Sequence, residues 1–170
     1  FASFEEYHQI INHDGKEIAF VGASNSGKSS AINALANKSK LAKVSKKPGK
    51  TKLFNFFRLN RGYIVDFPGY GYAKTSKEQK KIWSIELPQY FEKRPNLSFA
   101  YLFSDIRHPL KDSDYQMLEM LAKNQIEHKI IFTKSDKINP QEIPKILDRQ
   151  KGELLQVDFF SIKDKNQILK

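Results

Sequence analysis

The chain has 170 residues, enough for one domain with its own core, and no cysteine, which excludes a disulfide framework and a thiolate zinc site. No apolar run approaches the ~18 residues of a membrane span, the first residues lack a signal-peptide layout, and the expected setting is reducing and cytoplasmic. With 29 Lys and Arg against 19 Asp and Glu, the formal charge of +10 leaves two readings: a polyanionic partner, nucleic acid before membrane, or a lysine-rich solvated surface.

Residues 1–16 carry scattered apolar positions (Phe1, Phe4, Tyr7, Ile10, Ile11) and then a turn signal at His13-Asp14-Gly15-Lys16, so a short helix or an edge strand is expected. His8 and His13 read as isolated surface residues. The start on Phe1 suggests an N-terminal trim, and the end at Gln167-Ile168-Leu169-Lys170 reads as a helix cut short.

An apolar run, Ile18-Ala19-Phe20-Val21, leads into Gly22-Ala23-Ser24-Asn25-Ser26-Gly27-Lys28-Ser29 and then a helix-prone segment through about residue 37. Strand, G-x-x-x-x-G-K-S and helix together make a phosphate-binding P-loop. The glycines let several N–H groups point at one phosphate chain, and the helix N-terminus adds partial positive charge there. Gly22, Ala23, Ser24, Asn25, Ser26, Gly27, Lys28, Ser29 and Ser30 are the expected phosphate contacts. Lys28 should reach the β- and γ-phosphates, and the Ser29 hydroxyl should ligate Mg²⁺. A nucleoside triphosphate or diphosphate is therefore expected to bind.

Residues 38–52 hold seven lysines and no acid. Like charge and turn residues predict a segment that stays mobile until an anion orders it, with Thr51 near its end. Leu53–Leu59, a turn at Asn60-Arg61-Gly62, and Tyr63–Phe67 predict a hairpin. Its second strand ends in Asp66-Phe67-Pro68-Gly69, an acid suited to organising Mg²⁺ beside a glycine N–H that can meet a γ-phosphate. A helix from about Ser76 follows, with Ile82, Trp83, Ile85 and Tyr90 facing inward and Pro88 kinking or splitting it. Next come a buried strand, Leu97–Phe103, ending at Asp105, a helix over about 112–124 with Tyr115, Leu118, Met120 and Leu121 inward, and a strand at 128–132 tipped by Thr133-Lys134-Ser135-Asp136. A helix over about 140–151 and a strand, Val157–Phe160, lead to Ser161-Ile162-Lys163. Alternating strands and helices of this kind predict a single α/β domain, mainly a parallel six-stranded sheet with one antiparallel hairpin edge and helices on both faces.

Ser24–Ser30, Lys47-Pro48-Gly49-Lys50-Thr51, Asp66-Phe67-Pro68-Gly69-Tyr70-Gly71-Tyr72-Ala73 and Asp105-Ile106-Arg107-His108-Pro109-Leu110-Lys111-Asp112 stand in one order. In these segments the chain resembles the EngB/YihA/YsxC family of ribosome-biogenesis GTP-binding proteins, over about residues 17–163. The resemblance implies a Ras-like P-loop GTPase domain that binds GTP and GDP, hydrolyses GTP slowly with Mg²⁺, and as a cytoplasmic monomer assists assembly of the large ribosomal subunit. Asp136 would accept the N1–H and N2–H₂ fork of guanine, which adenine lacks. Lys134 would lie along the base, and Ser161, the Ile162 backbone and Lys163 would complete the pocket. Thr133 replaces the commoner Asn at this motif's first position, and its hydroxyl has less reach toward the P-loop.

Mg²⁺ would be held by Ser29, Thr51 and Asp66, and catalysis is expected of Lys28, Thr51 and Gly69. Tyr70 stands where many GTPases carry a water-orienting Gln, and no arginine finger can be assigned, Arg107 being the suggestive one. Asn25 is a candidate K⁺ ligand, by analogy with related GTPases that lack the Gln. His108 reads as structural or partner-facing. An ATPase or small-molecule kinase, or a plain RNA-binding module, stand as alternatives.

Overall fold

The structure is a computed structural model that describes residues 2–37, 41–42, 54–71, 77, 81–150 and 157–160. Among the described residues, seven strands form one sheet in the order β1-β3-β4-β2-β5-β6-β7: β1 Ala2–Phe4, β2 Lys16–Gly22, β3 Phe54–Leu59, β4 Gly62–Asp66, β5 Leu97–Asp105, β6 His128–Thr133 and β7 Val157–Phe160. The pairs β2–β4, β2–β5, β5–β6 and β6–β7 are parallel, and β3–β4 is the expected antiparallel hairpin. Six of these strands are the ones the sequence predicts. The seventh, β1, is the edge-strand alternative for the N-terminal segment, and it pairs antiparallel with β3 through Ala2–Phe56 and Phe4–Phe54.

Side-chain alternation along the central strands explains why both faces are covered. Ala19 and Val21 of β2, Ala100 and Leu102 of β5, and Ile130 and Phe132 of β6 belong to one core cluster. Phe20 and Phe103 belong to a second, against which Ile131 packs and which also contains Ala31 and Ile32 of helix α1 (Lys28–Leu35). The first cluster is covered by α2 (Leu87–Lys93), α3 (Asp112–Lys123) and α4 (Ile143–Gln150), through Leu87, Tyr90, Phe91, Met117 and Leu121, with Ile143, Ile146 and Leu147 packed against it. No described helix is long and apolar enough to cross a membrane.

Pro88 neither breaks nor sharply splits its helix. Residues Ile82–Glu86 form a π-helical turn that runs directly into α2, and the Leu87 N–H donates to the Ile82 carbonyl. The wider turn shifts the helical phase. Ile82, Leu87, Tyr90 and Phe91 are buried and Trp83 half-buried, whereas Ile85, expected inside, is 46% exposed. In α3 the phase also differs from expectation: Met117 and Leu121 are the apolar residues buried outright, and Tyr115, Leu118 and Met120 are partly covered. The expected cap at Ser76 lies outside the described residues.

At the end of the sheet where β2 begins, Glu17 is fully buried and charged groups surround it. Arg94 donates to it from Nε and Nη2 at 2.8 and 2.6 Å, Tyr90 donates its hydroxyl, and His13 Nε2 stands 2.8 Å away. His13 also lies over the Tyr63 ring, with centroids 4.1 Å apart. It is therefore part of a half-buried network rather than a surface residue.

Candidate functional site

The opposite, C-terminal end of the parallel strands gathers three loops, as open α/β sheets require of their ligand sites. Between β2 and α1 the P-loop turns on Gly27, whose φ of +94° is left-handed; a Cβ there would stand 3.1 Å from the Thr133 hydroxyl. Asn25 is also left-handed, at φ +66°, and exposed. Ser29 and Ser30 occupy the first turn of α1 and are half-buried. Lys28 is buried, and its ammonium pairs with the Asp66 carboxylate at the tip of β4. Ser26 Oγ is buried without a hydrogen-bond partner among the described residues, a hydroxyl available to an oxyanion in the cradle.

The loop after β4 is fastened to the P-loop. Ser24 N–H donates to the Tyr70 carbonyl at 2.8 Å, Ser24 Oγ donates to the Gly69 carbonyl at 3.2 Å, and Ala23 and Tyr70 form a parallel bridge. The approach is close enough that a Cβ on Gly69 would lie 2.8 Å from Ser24 Cα, so only glycine fits. Tyr70 turns away from this cradle. Its ring packs edge-on against Trp83, and its buried hydroxyl donates to Asp114 Oδ1 of α3 at 2.6 Å. Burial, and then the Asp114 charge, push its phenol well above the usual tyrosine range.

At the tip of β6, Thr133 does reach the P-loop. Its hydroxyl donates to the Ser26 carbonyl, with the Ser104 carbonyl 3.2 Å away. The expected shortfall against an Asn disappears because Gly27, lacking a side chain, lets the two loops touch. Lys134, at φ +61°, sends its ammonium to the Asn25 carbonyl and to Asp105 Oδ2, each at 2.7 Å. Asp136 follows in a short 3-10 turn, half-buried, with Lys137 Nζ 3.4 Å from its carboxylate.

The P-loop, Asp66, Gly69 and the Thr133–Asp136 turn thus come together. Thr51, Ser161, Ile162 and Lys163 lie outside the described residues, as does most of the lysine-rich segment. Leu41 and Ala42 of that segment are described: the Asn33 side chain of α1 donates to the Ala42 carbonyl at 2.9 Å and accepts its N–H at 2.7 Å. Arg107 is exposed and committed to Asp105, and His108 is exposed beside it. The Asp105–Lys134 link is not foreseen from the sequence, where the one signal for it is an acid at the tip of the preceding strand.

For Mg²⁺, the residues present supply a hydroxyl and a carboxylate, the hard oxygen donors that this ion takes. Among the described residues no group of three or more His, Cys, Asp or Glu could hold a metal by itself. Ser29 and Asp66 therefore fit a site in which phosphate oxygens and water supply the remaining ligands.

A family model described as 50S ribosome-binding GTPase matches residues 17–134. In fold, the chain is similar to a crystal structure of a probable GTP-binding protein engB, with a TM-score of 0.69 and 24% identity over 89% of this chain and 92% of that one. It is also similar to Era in complex with MgGDPNP and nucleotides 1506–1542 of 16S ribosomal RNA, with a TM-score of 0.66 and 20% identity over 89% of this chain and 52% of that one. Fold and site together define a P-loop GTPase.

Sequence relatives narrow the class. The probable GTP-binding protein EngB of Tolumonas auensis is 42% identical over 166 residues, 94% of this chain and 78% of the relative. That of Acinetobacter baumannii is 44% identical over 153 residues, 88% and 72% of the two chains. The chain belongs to the EngB family of GTP-binding proteins.

Proposed function

We propose that this GTPase is a slow, Mg²⁺-dependent switch that acts in assembly of the large ribosomal subunit. The observation that carries the nucleotide part is the tying of three loops into one cradle: Ser24 N–H on the Tyr70 carbonyl, Thr133 Oγ1 on the Ser26 carbonyl and Lys134 Nζ on the Asn25 carbonyl. In that cradle the P-loop amides and Lys28 bind the phosphate chain and stabilise charge on the transferring group. Ser29, Thr51 and Asp66 would hold Mg²⁺, which when bound would offset the negative charge of the phosphate chain. The Gly69 N–H senses the γ-phosphate. Asp136 accepts from guanine N1–H and N2–H₂, Lys134 lies along the base, and Ser161, Ile162 and Lys163 close the pocket.

The inward turn of Tyr70 supports a slow intrinsic rate, since the residue after Gly69 is engaged with Asp114 instead of orienting water. Asn25 is proposed as a K⁺ ligand by analogy with related GTPases that lack the Gln, where the cation would stand in for an arginine finger; hydrolysis faster in KCl than in NaCl is the expected result, and equal rates would remove it. GDP at about 100 times its Kd should stabilise the fold by about 2.7 kcal/mol, while the same concentration of ADP should not.

The ribosomal part rests on the family description, on the charge of +10, and on the lysines of segment 38–52 and of the stretch after Gly69, Lys74, Lys77, Lys80 and Lys81. The chain is taken to act as a cytoplasmic monomer without membrane attachment. Co-sedimentation with ribosomal subunits at two salt concentrations, with GDP, a GTP analogue or no nucleotide, tests it. Large-subunit binding that strengthens with the analogue is expected. Binding to the small subunit instead would favour another RNA partner, of the kind seen in the Era complex with 16S rRNA. Binding indifferent to nucleotide and abolished by salt would mean that the lysines are merely adhesive.

A further inference from the structure

We propose that Asp105, braced by Arg107, is a positioning residue for guanine-nucleotide binding, acting by holding the Lys134 ammonium in place before the base arrives. The proposal rests on the assignment of Thr133–Asp136 to base recognition.

The strand register brings the parts together. Asp105 is the last residue of β5 and lies opposite Thr133, the last residue of β6. Lys134 then takes a left-handed conformation, φ +61° and ψ +31°, that a non-glycine residue adopts only when its surroundings hold it there. The side chain runs back across the site, and its ammonium meets two acceptors at 2.7 Å, the Asn25 carbonyl and Asp105 Oδ2. A lysine is among the side chains with most rotamer freedom to lose on ordering. Fixing it beforehand means that nucleotide binding does not bear that entropy, which is how preorganisation raises affinity.

Asp105 is itself immobilised. Arg107 donates from Nε to Oδ1 at 2.9 Å, from Nη2 to Oδ2 at 2.7 Å, and from its backbone N–H to Oδ1 at 3.1 Å. Arg107 and Lys134 thus share one carboxylate, and Oδ2 serves both. Burial works against ionisation of this carboxyl, but the hydrogen bonds from Arg107 and Lys134 outweigh it and hold the group far below the usual carboxylate range. The acceptor for Lys134 is therefore a full negative charge. In this account the exposed Arg107, which the sequence offers as a catalytic candidate, works as the brace of an acid that orients a base-binding lysine.

The competing account is that Asp105 only shapes its own turn, through the Arg107 N–H it accepts. A double-mutant cycle separates the two. GDP affinity is measured by titration calorimetry for the wild type, K134A, D105A, D105N, R107A and the D105A/K134A pair, with circular dichroism and unliganded melting to compare their folding. D105A should weaken GDP binding about tenfold, the scale of one hydrogen bond to a charged group. R107A should weaken it less than D105A. In the K134A background, D105A should cause no further loss.

Independent, multiplying losses in the double variant would overturn the positioning role, as would an unchanged affinity in D105A beside a loss in K134A. Full GDP affinity in K134A would instead overturn the base assignment on which the proposal stands. Should D105A fail to fold, D105N, which keeps an acceptor for the Arg107 N–H, carries the same cycle: its loss must vanish when Lys134 is absent.

Discussion

Tyr70 and Asp105 flank the nucleotide cradle, and each has its side chain engaged with protein. Tyr70 follows Gly69, but its hydroxyl is buried on Asp114, which also accepts the Lys111 N–H at 3.0 Å and stands 3.4 Å from Ser104 Oγ. The Gly69 loop is thereby latched to the start of α3. Tyr70→Phe removes one buried bond to a charged acceptor and should cost about 1–3 kcal/mol in urea denaturation. The alkaline limb has a definite sign. Because burial, followed by Asp114, raises the Tyr70 phenol in the folded state, its contribution is fully present below the unfolded tyrosine pKa of about 10 and is lost as pH rises beyond it. Wild-type stability should fall above about pH 10 more steeply than that of Tyr70→Phe, read as melting temperature against pH.

Among the elements, the segment through Pro88 shows how a local irregularity decides which residues pack. The π turn at Ile82–Glu86 carries about one residue more per turn than the sequence periodicity assumes, so Ile85 faces solvent while Leu87 is fully buried. Ile85→Lys should change unfolding free energy by no more than about 0.5 kcal/mol, whereas Leu87→Ala should cost about 2–5 kcal/mol. At the other end of the same helix, Arg94 anchors α2 to β2 through the buried Glu17. Removing one partner leaves a buried charge without compensation, so Arg94→Met should cost about 3–5 kcal/mol by denaturant titration. Combining it with Glu17→Gln should recover part of that loss, which distinguishes an uncompensated charge from simple loss of packing.

On the scale of the whole molecule, the lysine-rich segment adjoins the helix that opens with the P-loop lysine. Within the lysine-rich segment 38–52, Ala42 is clasped by Asn33 of α1, the helix that opens with Lys28 and Ser29. If this segment binds rRNA, replacing Lys46, Lys47, Lys50 and Lys52 by Gln should leave GDP affinity unchanged. The slope of log K for subunit binding against log salt should flatten by about 0.7–0.9 for each phosphate that the protein no longer neutralises. A slope identical to wild type would move the RNA-binding face elsewhere.

Whatever a short local pattern controls was legible before folding. The P-loop motif, the Asp66–Gly69 turn and the Thr133–Asp136 tip are contiguous runs whose glycines, hydroxyls and charges act over a few residues. The apolar runs of β2, β5 and β6 mark strands buried on both faces, so a mainly parallel sheet with helices on both sides follows from them. Pairings between distant residues came only with the packed chain. Glu17 with Arg94, Tyr70 with Asp114 and Asp105 with Lys134 are ion pairs or hydrogen bonds between separate elements. No periodicity encodes them, because a carboxylate on a strand reads alike whether solvent or a buried arginine faces it. The same holds for Thr133: its hydroxyl reads as too short until the fold sets a glycine against it, and the distance between two loops is a property of the packed sheet, not of either loop.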